Sequence, residues 1–196
     1  MNVREKEHIA QPAALQSILQ ESEGLRFDMA SDLLTGSLLR TLAASKPAGK
    51  LLEIGTGTGI ATAWLLDGMD QESQLITVDC DAAVVHIAKK YLGHDQRVSF
   101  YIEDAGEWLE RESDERFDLI FADAWPGKYS HLAQALRLLK VGGLYVIDDM
   151  LPQENWPEGH GATVDRLIVE LEERDDLLLT KMGWSTGLIA AVKVRE

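Results

Sequence analysis

The chain has a single cysteine, Cys80, and is short of positive charge: 19 Lys and Arg stand against 33 Asp and Glu, a formal net charge of −14. One cysteine leaves no partner for an internal disulfide and cannot build a cysteine-based zinc site. The scarcity of cations weighs against a nucleic-acid partner, because that affinity comes from Lys and Arg displacing counterions from phosphates. The longest basic run is Lys89 and Lys90. No apolar stretch approaches the ~18 residues of a membrane span, and the charged opening MNVREKEHIA lacks a signal-peptide pattern. These absences predict a cytoplasmic protein with no membrane partner and a small neutral or cationic substrate. No internal repeat or low-complexity segment appears.

The 196 residues are 45% apolar, enough for one domain with a full core. Two helices are predicted over 1–46 and an α/β core over 50–196. The core is organised around KLLEIGTGTGIATAW at 50–64. An apolar run carrying Glu53 turns through Gly55, Gly57 and Gly59 and opens into a helical pattern. Glycines permit positive φ or a ligand against bare backbone, and the following helix aims unpaired N–H groups at the same spot. A ligand is expected outside the C-terminal end of this strand.

The first helix reads over 11–23, with Ala14, Leu15, Ile18 and Leu19 as its apolar face. Asp32 or Thr35 caps a second running to Ser45. These two form either a lid over the site or a packing layer. Strands follow over 51–54, 75–78, 98–102, 117–122, 144–147, 177–181 and 188–194, the last two as an edge hairpin. Helices fall over 59–69, 82–92, a short stretch from Asp104, 130–139 and 162–174. The segment 151–161 is rich in Pro, Trp and Gly and reads as a binding loop.

The glycine pattern narrows the ligand. G-T-G-T-G-I puts the third glycine one place earlier than the dinucleotide fingerprint, Glu53 would face a pyrophosphate, and no Walker G-K-[ST] follows. Asp79 closes the second strand 20 residues past Gly59, from where an acid reaches ribose hydroxyls. A ribonucleoside without phosphates, whose polar end carries an amine or a positive charge, satisfies both observations; S-adenosylmethionine fits that description.

The chain resembles the class I S-adenosylmethionine-dependent methyltransferases, and among them the catechol and caffeoyl-CoA O-methyltransferase-like family. The likeness runs over about 28–196 and is carried by LLEIGTGTGIAT at 51–62, LITVDCD at 75–81, EDA at 103–105, FDLIFADAWPGKY at 117–129 and GGLYVIDDM at 142–150. It implies an α/β Rossmann-like fold, a seven-stranded mixed sheet in the order 3-2-1-4-5-7-6 with the last strand antiparallel. It implies O-methylation of a small, aromatic acceptor. The donor set becomes Glu53, Gly55, Thr56, Gly57, Gly59, Asp79, Cys80, Asp104, Ala105 and Asp123. The resemblance also implies a divalent cation such as Mg²⁺ on Asp123, Asp148 and Asp149, the last more often Asn in the family. Cytosolic relatives and the frequency of twofold assemblies imply a homodimer through the N-terminal helices.

Several points have competing readings. Three carboxylates at neighbouring strand exits suit an oxygen-preferring cation, but the adjacent Asp148 and Asp149 can also diverge, one of them capping local backbone. The family's lysine base stands three residues after the strand-four acid, where this chain has Pro126. Lys128, Tyr129, His160 or a metal alone is left to handle the acceptor proton; the alternative for Lys128 is a solvated surface side chain. Trp125, Met150, Trp156 and Trp184 either face the acceptor or pack. Trp64 and Trp108 read as core, Cys80 as a small packed side chain, Asp104 as an N-cap, and His8, His86, His94 and His131 as surface residues. Rival functions are a metal-independent methyltransferase, an aminopropyl transferase, an RNA methyltransferase and a non-catalytic nucleoside-binding module.

Overall fold

The structure, a computed structural model, describes residues 9–113 and 116–196. The charged opening segment through His8 falls outside them. The elements are α1 (Leu15–Gly24), α2 (Leu33–Ala44), β1 (Lys50–Ile54), α3 (Ile60–Gly68), β2 (Gln74–Asp79), α4 (Ala82–Leu92), β3 (Val98–Ile102), α5 (Ala105–Arg111), β4 (Phe117–Ala122), α6 (Leu132–Leu138), β5 (Leu139–Ile147), α7 (His160–Glu172), β6 (Leu177–Met182) and β7 (Leu188–Lys193). The strands form one mixed sheet in the order β3-β2-β1-β4-β5-β7-β6. β1 to β5 pair in parallel, and β7 runs antiparallel to both β5 and β6. This is the Rossmann-like order that the resemblance implied, and its direction reverses between β1 and β4. Ligands of open α/β sheets bind at such a switch point.

Strand alternation sorts the core into two layers. Leu51, Leu119, Phe121 and Val146 point to one face, where α1 to α4 bring Leu15, Ile18, Leu39, Trp64 and Ile87. Leu52, Ile54, Ile120, Ala122 and Ile147 point to the other, where α5 to α7 bring Trp108, Leu109, Leu136, Val164 and Leu171. The N-terminal helices are therefore a packing layer. Asp32 rather than Thr35 caps α2, accepting from the Leu34 N–H at 2.8 Å.

Several boundaries differ from the periodicity, and α1 begins at Leu15, four residues late. β5 begins at Leu139, five residues early, because Gly142 at φ +81 and a register shift between Phe117 and Leu119 let the strand pass through its glycines. α6 is correspondingly shorter. α7 begins at His160 rather than 162, since Gly159 at φ +82 makes the turn into the helix.

Helices α2 and α3 meet so closely that two positions exclude a side chain. A Cβ on Gly68 would lie 2.1 Å from the Arg40 carbonyl oxygen, and one on Gly36 would lie 2.3 Å from the Trp64 ring. Backbone cannot step aside as a rotamer can, so Gly68→Ala is expected to destabilise the chain by about 1–3 kcal/mol, the usual cost of overpacking. Urea denaturation measures it; a midpoint equal to wild type would show that the two helices have room to separate.

Candidate functional site

The turn between β1 and α3 lies at the centre of the C-terminal edge of the sheet. Gly55, Gly57 and Gly59 all take positive φ, at +102, +50 and +91. Asp79 at the exit of β2 holds this turn: its Oδ2 accepts from the Gly57 N–H at 2.8 Å and its Oδ1 from the Asp81 N–H at 2.9 Å. Each carboxylate oxygen keeps acceptor capacity for a ligand hydroxyl. Beside the turn opens a cavity of about 230 Å³ lined by Gly55, Thr56, Gly57, Thr58, Asp79 and Asp123, with Phe27, Met29, Ile60 and Val84 among its apolar walls.

Glu53 lies beneath the turn and does not line that cavity. It is wholly buried, and its Oε2 accepts from the hydroxyls of Thr62 at 2.6 Å and Thr77 at 2.5 Å, while Thr77 is bonded to Thr56 at 2.6 Å. Its Oε1 has no hydrogen-bond partner among the described residues. Burial pushes the carboxyl up to about 8, against the downward pull of the two hydroxyls. Burial thus favours the uncharged form of Glu53, which braces the turn through threonines.

A second cavity, about 360 Å³, adjoins the first and is lined by Asp123, Lys128, Asp148 and Asp149 together with Trp125, Tyr129, Trp156 and His160. Met29, Ala30, Ser31, Asp123 and Ala124 border both. Lys128 reaches this cavity through a type II turn: Gly127 takes φ +84, and the Lys128 N–H donates to the Trp125 carbonyl at 3.3 Å. The Tyr145 hydroxyl donates to the Gly127 carbonyl at 2.6 Å and pins the turn. Lys128 is not a solvated surface residue. It is 5% exposed, and its Nζ donates to Asp123 Oδ1 at 3.3 Å and to the Asp148 carbonyl at 3.2 Å. Burial pulls the ammonium down, but the charges of Asp123 and Asp149 outweigh it and hold Lys128 above its usual value.

Two of the acids accept from the chain's own donors. Asp123 Oδ2 accepts from the Ser31 hydroxyl at 3.2 Å, and Asp148 Oδ1 accepts from the Thr186 hydroxyl and from the Asp149 N–H at 2.8 Å. Burial, helped by the charge of Asp123, pushes Asp148 up. Asp149 takes a left-handed backbone, φ +63, which Asp tolerates better than most residues. Among the described residues no three acid, His or Cys side chains converge to hold a metal. A cation at the implied position would have to displace the Lys128 ammonium, so the donor set as folded does not fit one.

The remaining predicted residues separate cleanly. Asp104 caps α5 by accepting from the Glu107 N–H at 2.9 Å, and Ala105 is buried; neither lines the first cavity. Cys80 is exposed and outside both cavities, not packed, because β2 has already ended at Asp79. His160 is helical, with Tyr129, Trp125 and Trp156 around its ring at 5.1, 5.8 and 4.6 Å. Met150 and Trp184 pack in the core layers, and Trp64 and Trp108 are core. His86 and His94 are exposed; His131 is half-buried, its Nδ1 3.1 Å from the Ser130 hydroxyl. Residues 27–31 and Thr186, which sequence reading left out of the site, line it. Their partners lie far away in the chain, and no local pattern marks them.

Comparison with known proteins places this geometry. Residues 13–173 match the family model described as O-methyltransferase. A protein of Mycobacterium avium described as an O-methyltransferase is 32% identical over 171 residues, 81% of this chain and 76% of that one. Another, from Mycolicibacterium vanbaalenii, is 36% identical over 117 residues; that match takes in 57% of this chain and about half, 52%, of the relative. The O-methyltransferase TomG of Streptomyces achromogenes, involved in tomaymycin synthesis and solved in complex with S-adenosylmethionine, shares the fold with a TM-score of 0.83, 24% identity, and coverage of 96% and 93%. The chain belongs to the O-methyltransferase family, within the class I S-adenosylmethionine-dependent methyltransferases. No helix among the described residues is long and apolar enough to cross a membrane.

The state of Glu53 gives a signed pH effect. Its folded value lies well above the 4.5 of the unfolded chain, so the native state holds a proton that the unfolded state releases. Stability from this group is fully present below about pH 4.5 and is lost as pH rises through about 8. Glu53→Gln removes that dependence. Relative to wild type, the variant should gain on the order of 4 kcal/mol between pH 5 and pH 9. Urea titrations at both pH values measure the difference; parallel pH curves for the two proteins would show that Glu53 is ionised in the fold.

Proposed function

We propose that the chain transfers the methyl group of S-adenosylmethionine to a hydroxyl of a small aromatic acceptor. The observation that carries this reading is the charge of the first cavity: Asp79, Asp81 and Asp123 line it, and among the described residues no Lys or Arg does. Such a cavity repels a pyrophosphate and attracts a sulfonium. Asp79 is placed to accept from the ribose hydroxyls, with the bare backbone of Gly55 to Gly57 against the rest of the donor. Glu53 and Gly59 shape that backbone from behind, and Asp104, Ala105 and Cys80 stand outside it. The structure of TomG with its bound donor supports the same choice of ligand.

When bound, the donor supplies an electrophilic methyl: an acceptor oxygen lone pair forms the new C–O bond, the C–S pair stays on sulfur, and a neutral thioether leaves. The chain's own residues do the rest. Asp123 is the ionisable side chain common to both cavities, so it stands where the acceptor hydroxyl must approach the donor. It takes the hydroxyl proton, with Tyr129 and His160 as flanking groups. Trp125, Tyr129 and Trp156 give a planar acceptor aromatic faces to lie against, and holding it in line is a large part of the rate.

Calorimetry tests the donor directly. S-adenosylmethionine and its demethylated product should bind and NAD should not; tight NAD uptake with no sulfonium uptake would end this reading. Asp79→Ala should weaken the donor about 10–100-fold, the loss of a hydrogen bond to a charged group. An unchanged affinity would remove Asp79 from the ribose. Trp125→Ala should raise the acceptor KM about 3–10-fold, the worth of one aromatic contact, and leave donor affinity within twofold. A donor affinity that falls with it would place Trp125 in the wrong cavity.

A further inference from the structure

Four carboxylates, Asp28, Asp123, Asp148 and Asp149, edge the second cavity, and Lys128 is the one Lys or Arg among its described lining residues. Acids gathered at adjacent strand ends repel one another unless a cation sits between them. That cation can come from solvent or from a side chain. The local geometry is built for a side chain. The Pro126–Gly127 turn folds the chain back, and Lys128 enters nearly without exposure. Its Nζ meets one oxygen from the end of β4, on Asp123, and one from the end of β5, the Asp148 carbonyl, at 3.3 and 3.2 Å. Those are the two strand ends from which the family resemblance draws its metal ligands.

Hydrogen-bond capacity points the same way. An ammonium has three N–H donors and no acceptor. Two are spent on Asp123 and Asp148, which leaves the third for an oxygen in the cavity. Two of the acids are partly committed as well: Ser31 takes Asp123 Oδ2, and Thr186 with the Asp149 N–H takes Asp148 Oδ1.

We infer that Lys128 is a built-in replacement for the divalent cation, its ammonium bridging the ends of β4 and β5 and presenting its third donor to the acceptor oxygen. The role of that third donor rests on the methyl-transfer reading above; the occupation of the cation position does not. Lys128 is then the group that holds the developing oxyanion, and Asp123 the group that takes the proton.

Manganese reports on the position without any turnover. Titrating Mn²⁺ into the wild-type chain, followed by electron paramagnetic resonance, should show no specific site. Lys128→Ala should gain one Mn²⁺ per chain, at least tenfold tighter than wild type, and adding Asp123→Asn should abolish it. Wild-type methyl transfer should stay within twofold after EDTA treatment. A wild-type Mn²⁺ site that Asp123→Asn removes would overturn the inference. So would a folded Lys128→Ala chain, checked by circular dichroism, that gains no Mn²⁺, or activity that EDTA abolishes and Mg²⁺ restores. Should the alanine variant not fold, the wild-type titration decides alone. Failure of the donor reading would appear separately, as absent S-adenosylmethionine uptake in calorimetry, and would leave the Mn²⁺ result standing.

Discussion

The turn from β1 into α3 has to pass where there is no room for side chains. A Cβ on Gly55 would stand 2.8 Å from the Asp123 carbonyl oxygen, and one on Gly59 would stand 2.7 Å from the Ala88 methyl. Both residues also take positive φ, so conformation and space make the same demand. Because the turn touches the end of β4 on one side and α4 on the other, it fixes where the two cavities meet. Asp123 is at that junction, its N–H donating to the Ile54 carbonyl at 2.8 Å. Loosening the turn would move the walls of both cavities together.

Charge is distributed around this turn in depth. Asp79 and Asp123 line a ligand cavity, while Glu53 behind them is buried, and burial favours its uncharged form. An ionised Glu53 would add its charge to theirs away from solvent; the protonated form leaves the negative potential at the cavity surface. On the β5 side acid and cation are buried together: Asp148 is 1% exposed and Lys128 5%, and the surrounding acids hold the ammonium charged. The two cavities share Asp123 but differ in the charge set beside it: among the described residues the first is lined by acids without a Lys or Arg, the second by acids and Lys128.

The parts legible in the sequence were those governed by short-range rules. Strand alternation, the glycine turn, the acid at the exit of β2 and the late hairpin follow from period, backbone freedom and strand length, and the structure has them where those rules put them. Asp104 as a cap was legible for the same reason. The start of β5 was not, because Gly142 and Gly143 read as a turn, whereas pairing with β4 carries the strand through them. Residues 27–31 were invisible as site residues. Ser31 acquires its role from Asp123, 92 positions away, and nothing beside it in the chain announces that contact. Cys80, read as a small packed side chain from its residue type, is exposed because it follows the last residue of β2.

Lys128 lies between these cases. Counting from Asp123, a lysine two places beyond the family position looks displaced, and by spacing alone it belongs to the surface. The dipeptide before it changes the count: Pro favours the first central position of a type II turn and Gly the second, and such a turn reverses the chain. The reversal returns the side chain toward the strand it left. The reversal is fixed from the core, where the buried Tyr145 of β5 holds the Gly127 carbonyl, and a Cβ on Gly127 would lie 2.8 Å from Ile54 Cδ1. Position in space, not position in the motif, therefore decides whether an ammonium reaches the acids, and here that position is set by a tyrosine that never touches the cavity.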